Sequence, residues 1–317
     1  MGLFILLAAG LVLCLVVGTA TIVHSTVHPA RKTYANALAQ KRPGDPADLG
    51  LNARSVEFRF HDGTATPGWL IEGEVPNGPV IVMTHGWASS RYLQIELAAK
   101  FGRYASHVVL YDMRGHGDST ASICRLGTTE VDDLLQVLEQ VPTWRRPVIL
   151  YGSSMGAGIS IAAAARPSSG PHRVAAVIAE GPYRHGLEPI AGHLRCLHYP
   201  VQPLTGLAGL CLAATLGGFR NFDRAQHASH LACPLLVLHG TADRICNIES
   251  ARQIAAAAAK SKLIEFKGAE HDHLVEHDEQ QYLGAVEQLL NDVGNQKQTT
   301  LDWPTSMTTS VIGTAVT

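Results

Sequence analysis

Gly152-Ser153-Ser154-Met155-Gly156 is the stretch from which the rest of the chain is read. Pro147-Val148-Ile149-Leu150-Tyr151 ahead of it has the composition of a buried strand. Ala157 to Ala165 behind it, with Ile159 and Ile161, has that of a helix opening in small residues. Strand, tight turn and helix is the setting in which G-x-S-x-G works as a nucleophile elbow. The turn drives its central residue into a strained backbone conformation and lifts the hydroxyl above the sheet edge. Only small neighbours fit beside it, hence the flanking glycines. Ser154 sits at that centre and is the candidate nucleophile; Ser153 is one residue off.

Working outward, two more strands end in chemistry-bearing turns. Pro234 to His239 is followed by Gly240-Thr241-Ala242-Asp243, and Lys262 to Phe266 by Gly268-Ala269-Glu270-His271. A serine hydroxyl is too weak an acid to attack unaided. An imidazole at His271 would take its proton and later return one to the leaving group, and Asp243 would fix the tautomer and stabilise the imidazolium. Competing readings stay open. His273 lies two residues beyond His271, Asp272 is a further acid, and Asp243 could instead cap a helix over Ile248 to Ala259. An oxyanion needs backbone donors. The first candidate is the N–H of Met155, just after the nucleophile. The second is the N–H of Trp87, in the loop His85-Gly86-Trp87-Ala88-Ser89-Ser90 after the strand Val80 to Thr84; its ring has a simpler use as pocket lining.

His85-Gly86-Trp87, Asp112-Met113-Arg114-Gly115-His116-Gly117-Asp118-Ser119, the elbow, His239-Gly240-Thr241-Ala242-Asp243 and Gly268-Ala269-Glu270-His271 fall in series. In that order the chain resembles the α/β-hydrolase superfamily, in its serine-hydrolase branch of esterases, monoacylglycerol-lipase-like and serine-aminopeptidase-like proteins. The resemblance covers about residues 55 to 292. It implies the chain order Ser154, Asp243, His271 for a triad, and a structural rather than catalytic His116. Ser154 separates the chain from dehalogenase-like relatives, which carry Asp there. Ser153 departs from the His common at that position. The scaffold hosts many chemistries, so the substrate is not implied.

Formal net charge is −2, and no basic stripe with interleaved aromatics is present, so a nucleic-acid partner is not expected. Sixteen histidines are scattered without H-E-x-x-H or Cys-His spacing. His271, His273 and His277 with Glu270, Asp272 and Glu276 imitate a metal cluster but read better as a turn and a solvated helix start. No metal or organic cofactor is implied.

Leu3 to Val23 is uncharged and apolar all round. As a helix it would be about 31 Å long, enough for a bilayer core. Two readings compete: an uncleaved single-pass anchor, or a signal peptide cut near Gly18 and Ala20. The apolar run continues past that site and has no Lys or Arg ahead of it, which favours the anchor. Arg31, Lys32, Lys41 and Arg42 follow it, which places the catalytic domain on the cytoplasmic side by the positive-inside rule. Cys124, Cys196, Cys211, Cys233 and Cys246 show no C-x-x-C and read as free thiols.

The organisation expected is therefore a membrane anchor or signal segment over 1–23, a Pro-broken linker over 24–54, an α/β-hydrolase domain over 55–293 and a disordered tail over 294–317. Within the domain, Ser55 to Phe60 and Trp69 to Glu74 read as an antiparallel pair. Alternating strands and helices then predict an α/β fold, a mostly parallel sheet with helices on both faces. The alternation breaks over about 183–232, too long for a simple connection, which predicts an inserted cap. The cap holds the apolar run Leu204 to Leu216, which reads either as a helix packed on the core or as one that lines an acyl pocket or touches the membrane. The function expected is a serine hydrolase of an ester or thioester, with a small-molecule acyl substrate, possible lipid origin and an acyl-enzyme on Ser154. The alternatives are a peptidase with Glu180 or Glu188 anchoring a free amine, an acyltransferase on the same residues, or a non-catalytic membrane scaffold.

Overall fold

The computed structural model describes residues 1–142, 146–167, 174–217 and 222–301, with side chains to Val293 in the last helix. In chain order the elements are α1 (Gly2–Val27), α2 (Tyr34–Ala39), β1 (Ala53–Arg59), β2 (Ala65–Glu72), β3 (Val80–Thr84), α3 (Ile95–Gly102), β4 (His107–Tyr111) and α4 (Glu130–Gln140). They continue with β5 (Val148–Ser153), α5 (Met155–Ala165), β6 (Val174–Glu180), α6 (Leu187–Cys196), α7 (Leu204–Leu216) and α8 (Arg224–Ala228). The chain closes with β7 (Leu235–Gly240), α9 (Ile248–Ala257), β8 (Ser261–Phe266), α10 (Leu274–His277) and α11 (Glu279–Leu301).

The strands form one sheet in the order β1-β2-β4-β3-β5-β6-β7-β8. β2 is antiparallel to β1 and β4, and the remaining pairs are parallel. β3 and β7 are buried along their whole length, and β5 all but its last residue, because helices cover both faces. That is why they read as unbroken apolar runs instead of alternating ones. One core, on the face of α4, α5, α8 and α9, gathers Val82, Leu134, Leu150 and Ile254. The opposite core gathers Ile81, Phe101, Tyr151 and Val286 around α3 and α11. α4 buries Val131, Leu134, Val137 and Leu138 on one side and carries Glu130, Asp132 and Asp133 in its first turn, where acids complement the helix dipole.

β2 begins at Ala65, earlier than the Trp69 expected from sequence, and so includes Pro67 and Gly68. Gly68 is needed there, because a Cβ would lie 2.6 Å from the Leu110 carbonyl oxygen on β4. α1 is a single apolar helix long enough to cross a membrane and runs past Val23 to Val27. The segment expected as linker holds α2 and a 3-10 turn over Pro46–Leu49. Between β6 and β7, α6 and the first residue of α7 lie over the carboxyl end of β5, α7 packs against α1, and α8 packs on α5 and α9 in the helical layer. α11 extends through the boundary expected at Val293; residues 302–317 of the expected tail lie outside the described residues.

Candidate active site

Ser154 directly follows β5 and caps α5 with φ 53° and ψ −111°. Its backbone N–H donates to the Glu180 carbonyl at 2.7 Å, which pins the turn to β6. The glycines on either side are sterically required. A Cβ at Gly152 would lie 2.2 Å from the Gly156 carbonyl oxygen, and one at Gly156 would lie 2.2 Å from that of Thr84. No side chain fits, so the strained turn needs glycine at both places.

The structure brings Ser154, His271 and Asp243 into one hydrogen-bonded line. Ser154 Oγ–H donates to His271 Nε2 at 3.0 Å, and His271 Nδ1–H donates to Asp243 Oδ2 at 2.6 Å. A carboxylate only accepts, so Nδ1 carries the proton and Nε2 is free to receive one. Asp243 is fixed from its other side. Its Oδ1 accepts the backbone N–H groups of Ile245 and Cys246, both at 2.8 Å. The helix-cap alternative for Asp243 falls away: Asn247 caps α9 by accepting from the Glu249 N–H at 2.9 Å. Burial alone would push the His271 imidazole down, but hydrogen bonds with Asp243 and Cys246 outweigh it. They hold it well above the ordinary histidine range.

His273 stays outside this line, exposed and 3.5 Å from Glu276. His277 Nε2 instead meets the Lys267 carbonyl, so the acid–histidine cluster of that turn does not converge. Asp243, Cys246 and His271 do offer ligand atoms within 4.8 Å of one another. That set does not suit a metal. The carboxylate is spent on two amides and an imidazole, and burial pushes the Cys246 thiol up, so it keeps its proton.

Met155 opens α5, and first-turn amides of a helix have no carbonyl of their own helix to meet. The loop carrying Trp87 packs directly on the elbow, since a Cβ at Gly86 would stand 3.4 Å from Ser154 Cβ. The Trp87 indole N–H donates to the Thr26 carbonyl at 2.9 Å, so the ring bridges the loop to α1. His85 orders the start of the loop: its Nε2 accepts from the Met113 N–H at 3.0 Å, which leaves Nδ1–H to donate to the Gly86 carbonyl at 2.8 Å. His116 stacks edge-on against His85 and is fully buried, which pushes it down to about 4.

A cavity of about 830 Å³ lies over Ser154 and His271, with mainly apolar walls from α6, the α6–α7 connection and Leu204. Glu180 reaches it, but its Oε2 accepts the hydroxyls of Tyr151 (2.9 Å) and Tyr282, and burial pushes its carboxyl up. Glu188 is taken up by the His185 N–H and the Ser250 hydroxyl. Sequence reasoning missed one wall altogether. Gly18, Thr21, Ile22, Ser25 and Thr26 of α1 line the same cavity. The signal was present in the spacing of the small and hydroxyl residues Gly18, Thr21, Ser25 and Thr26, at i, i+3, i+7 and i+8 near the end of an otherwise apolar run.

A profile described as the alpha/beta hydrolase fold matches residues 79–200, and one described as serine aminopeptidase, S33, matches residues 195–278. The lysophosphatidylserine lipase ABHD12 of Rattus norvegicus is 27% identical over 198 residues, which is 61% of this chain and 49% of that protein. Protein ABHD12B of Homo sapiens is 27% identical over 217 residues, 66% of this chain and 55% of that one. The chain thus matches about half the length of these relatives. Among solved structures, the Pyrococcus furiosus esterase Pf2001 superposes with a TM-score of 0.64 at 17% identity, covering 79% of this chain and 95% of the esterase. A membrane phospholipase A described as a bacterial virulence factor superposes at 0.58 with 18% identity, covering 93% of this chain and all of the other (100%).

Proposed function

The chain belongs to the α/β-hydrolase superfamily, among serine hydrolases of the esterase and lipase kind, and from that premise we propose that it hydrolyses lipid-derived acyl esters at a membrane. One observation carries the reading: the line Ser154–His271–Asp243 opens into a large apolar cavity that shares a wall with the long apolar helix. Ser154 attacks the ester carbonyl as His271 takes its proton. The oxyanion is held by the N–H groups of Met155 and Trp87. His271 returns the proton to the departing alcohol, and water repeats the sequence to release the acid. The alcohol headgroup leaves first, and the acyl chain stays on the enzyme.

An ester fits better than a peptide with a free amine. An aminopeptidase needs a charged carboxylate for the ammonium, and Glu180 and Glu188 are both engaged within the protein. Transfer to a second alcohol would use the same acyl-enzyme and show as acid release falling when alcohol is added. The apolar helix is read as a retained anchor. Its end is tied to the domain by the Trp87 bond to Thr26 and by the Cys124 N–H, which donates to the Val27 carbonyl at 2.8 Å. The cations after it favour a cytoplasmic domain.

The test is a series of monoacylglycerols and lysophospholipids of rising chain length beside amino-acid amides, given to wild type and Ser154→Ala. Fatty acid release by wild type alone, growing with chain length, supports the reading. Faster cleavage of the amides overturns it.

A further inference from the structure

α1 presents two different surfaces. From Gly2 to Val17 it is exposed almost throughout, the surface expected of a helix in lipid. Near its other end, one face turns into the cavity above Ser154. The cavity mouth is rimmed by Thr21 and Ser25 on this helix and by Leu197 and Tyr199 beyond α6, which are 63% and 60% exposed. α7 lies alongside α1, close enough that a Cβ on Gly18 would be 3.2 Å from Leu204 Cδ2. The outer side of α7 carries Leu207 and Leu210, 37% and 55% exposed. Exposed apolar side chains are therefore found on the membrane helix, on α7 packed against it and, at Leu197 and Tyr199, on the rim of the mouth.

Depth locates this surface. A bilayer core takes about 20 helical residues, about 30 Å. The apolar run ends at Val23 and is followed by His24 and Ser25, so the domain-side edge of the hydrocarbon falls near Thr21 to Ser25. The mouth is therefore level with the depth at which glycerolipids carry their ester carbonyls.

We propose that the mouth between α1 and the α6–α7 cap is a lateral portal, through which a single-chain acyl lipid passes from the adjoining leaflet to Ser154 without crossing water. This rests on the reading of Ser154 as the nucleophile of a lipid ester hydrolase. On this view the membrane helix is a wall of the active site as well as a tether, and the exposed leucines of α7 are immersed in the leaflet.

The full chain carrying Ser154→Ala is placed in phosphatidylcholine vesicles with a lysophospholipid whose acyl chain bears a diazirine, then irradiated and mapped by mass spectrometry. Cross-links at Thr21, Ser25, Leu197 or Tyr199 are expected. Cross-links confined to Gly2–Val17 overturn the proposal. A second measurement uses Leu207→Asp/Leu210→Asp, exposed positions away from the cavity. Hydrolysis of the vesicle lipid is expected to fall about tenfold, because charges are costly in hydrocarbon, while a short water-soluble ester is turned over at the wild-type rate. Unchanged rates on both esters, or equal loss on both, overturn the portal. A wild-type chain inactive on every ester, yet cross-linked at the mouth, instead removes the hydrolase reading and leaves the portal standing.

Discussion

Asp243→Asn changes one atom and ought to disable the site through the tautomer of His271. The reason lies in the two amides behind the carboxylate. Ile245 and Cys246 both aim N–H groups at Asp243 Oδ1, each at 2.8 Å. An asparagine must give its carbonyl oxygen to those two donors, because its amide nitrogen cannot accept. The NH₂ is then left facing His271 Nδ1, 2.6 Å away in the native pair. Nδ1 becomes the acceptor, the ring proton moves to Nε2, and the imidazole can no longer take a proton from Ser154. Loss of this tautomer control in a serine–histidine–aspartate site costs about 10⁴ in kcat, or about 5.4 kcal/mol of transition-state stabilisation. The assay is kcat on a short soluble ester, with thermal unfolding as the control for folding. The variant should keep its Tm, because the turn over Ile245 and Cys246 is still capped, whereas Asp243→Ala should lose both activity and stability. A loss below about tenfold in a folded Asp243→Asn variant would refute the tautomer argument.

The same pair sets the pH dependence. His271 must be neutral at Nε2 to act, and its partners hold it above the ordinary value of 6.5. The kcat/KM profile should therefore rise with pH through a limb above that value and fall away in acid. In Asp243→Asn the limb should move down; a wild-type limb at or below 6.5 would contradict this cause. Gly156→Ala should lower stability by about 1–3 kcal/mol and also impair turnover, since its Cβ strikes backbone carbonyls of Thr84 and His85 that cannot swing aside. An unchanged Tm would count against that packing. Arg31→Ala removes a guanidinium that donates to the carbonyls of Gly117, Ser119 and Ala121 at 3.0, 2.7 and 2.6 Å. Its loss should destabilise the chain by about 2 kcal/mol, about 4–8 °C in melting temperature for a domain of this kind. A shift under about 1 °C would mean that Arg31 does not clasp the helix end to the domain.

The elbow was legible in sequence because its requirements are local: an apolar strand, a hydroxyl at the turn and glycine on both sides. The line of three side chains was also visible, since each sits just past a strand whose composition marks it as buried, and parallel strands bring their carboxyl ends to one edge. Separation along the chain, from Ser154 to His271, mattered little for that reason. What stayed hidden depends on packing between distant segments. Asp243 and Asn247 are both good caps, and only coordinates tell which one meets α9 and which meets the imidazole. Pro67 and Gly68 concealed the start of β2, because the close approach to Leu110 that demands the glycine is a tertiary fact. The apolar helix announced a membrane through composition, but its second surface showed only as a few small and hydroxyl residues at helical spacing. A run that is apolar all round gives no reason to look for a face.

The central claim is that Ser154 is activated by His271 and Asp243. It is met most directly by treating membranes that contain the full chain with a fluorophosphonate, comparing wild type with Ser154→Ala and Asp243→Asn. Covalent labelling mapped to Ser154 is expected in wild type, none in the alanine variant and very slow labelling in the asparagine variant. A folded wild-type chain that takes no label, or that is labelled equally in all three forms, would contradict an activated serine here and return the chain to the reading of a non-catalytic membrane scaffold.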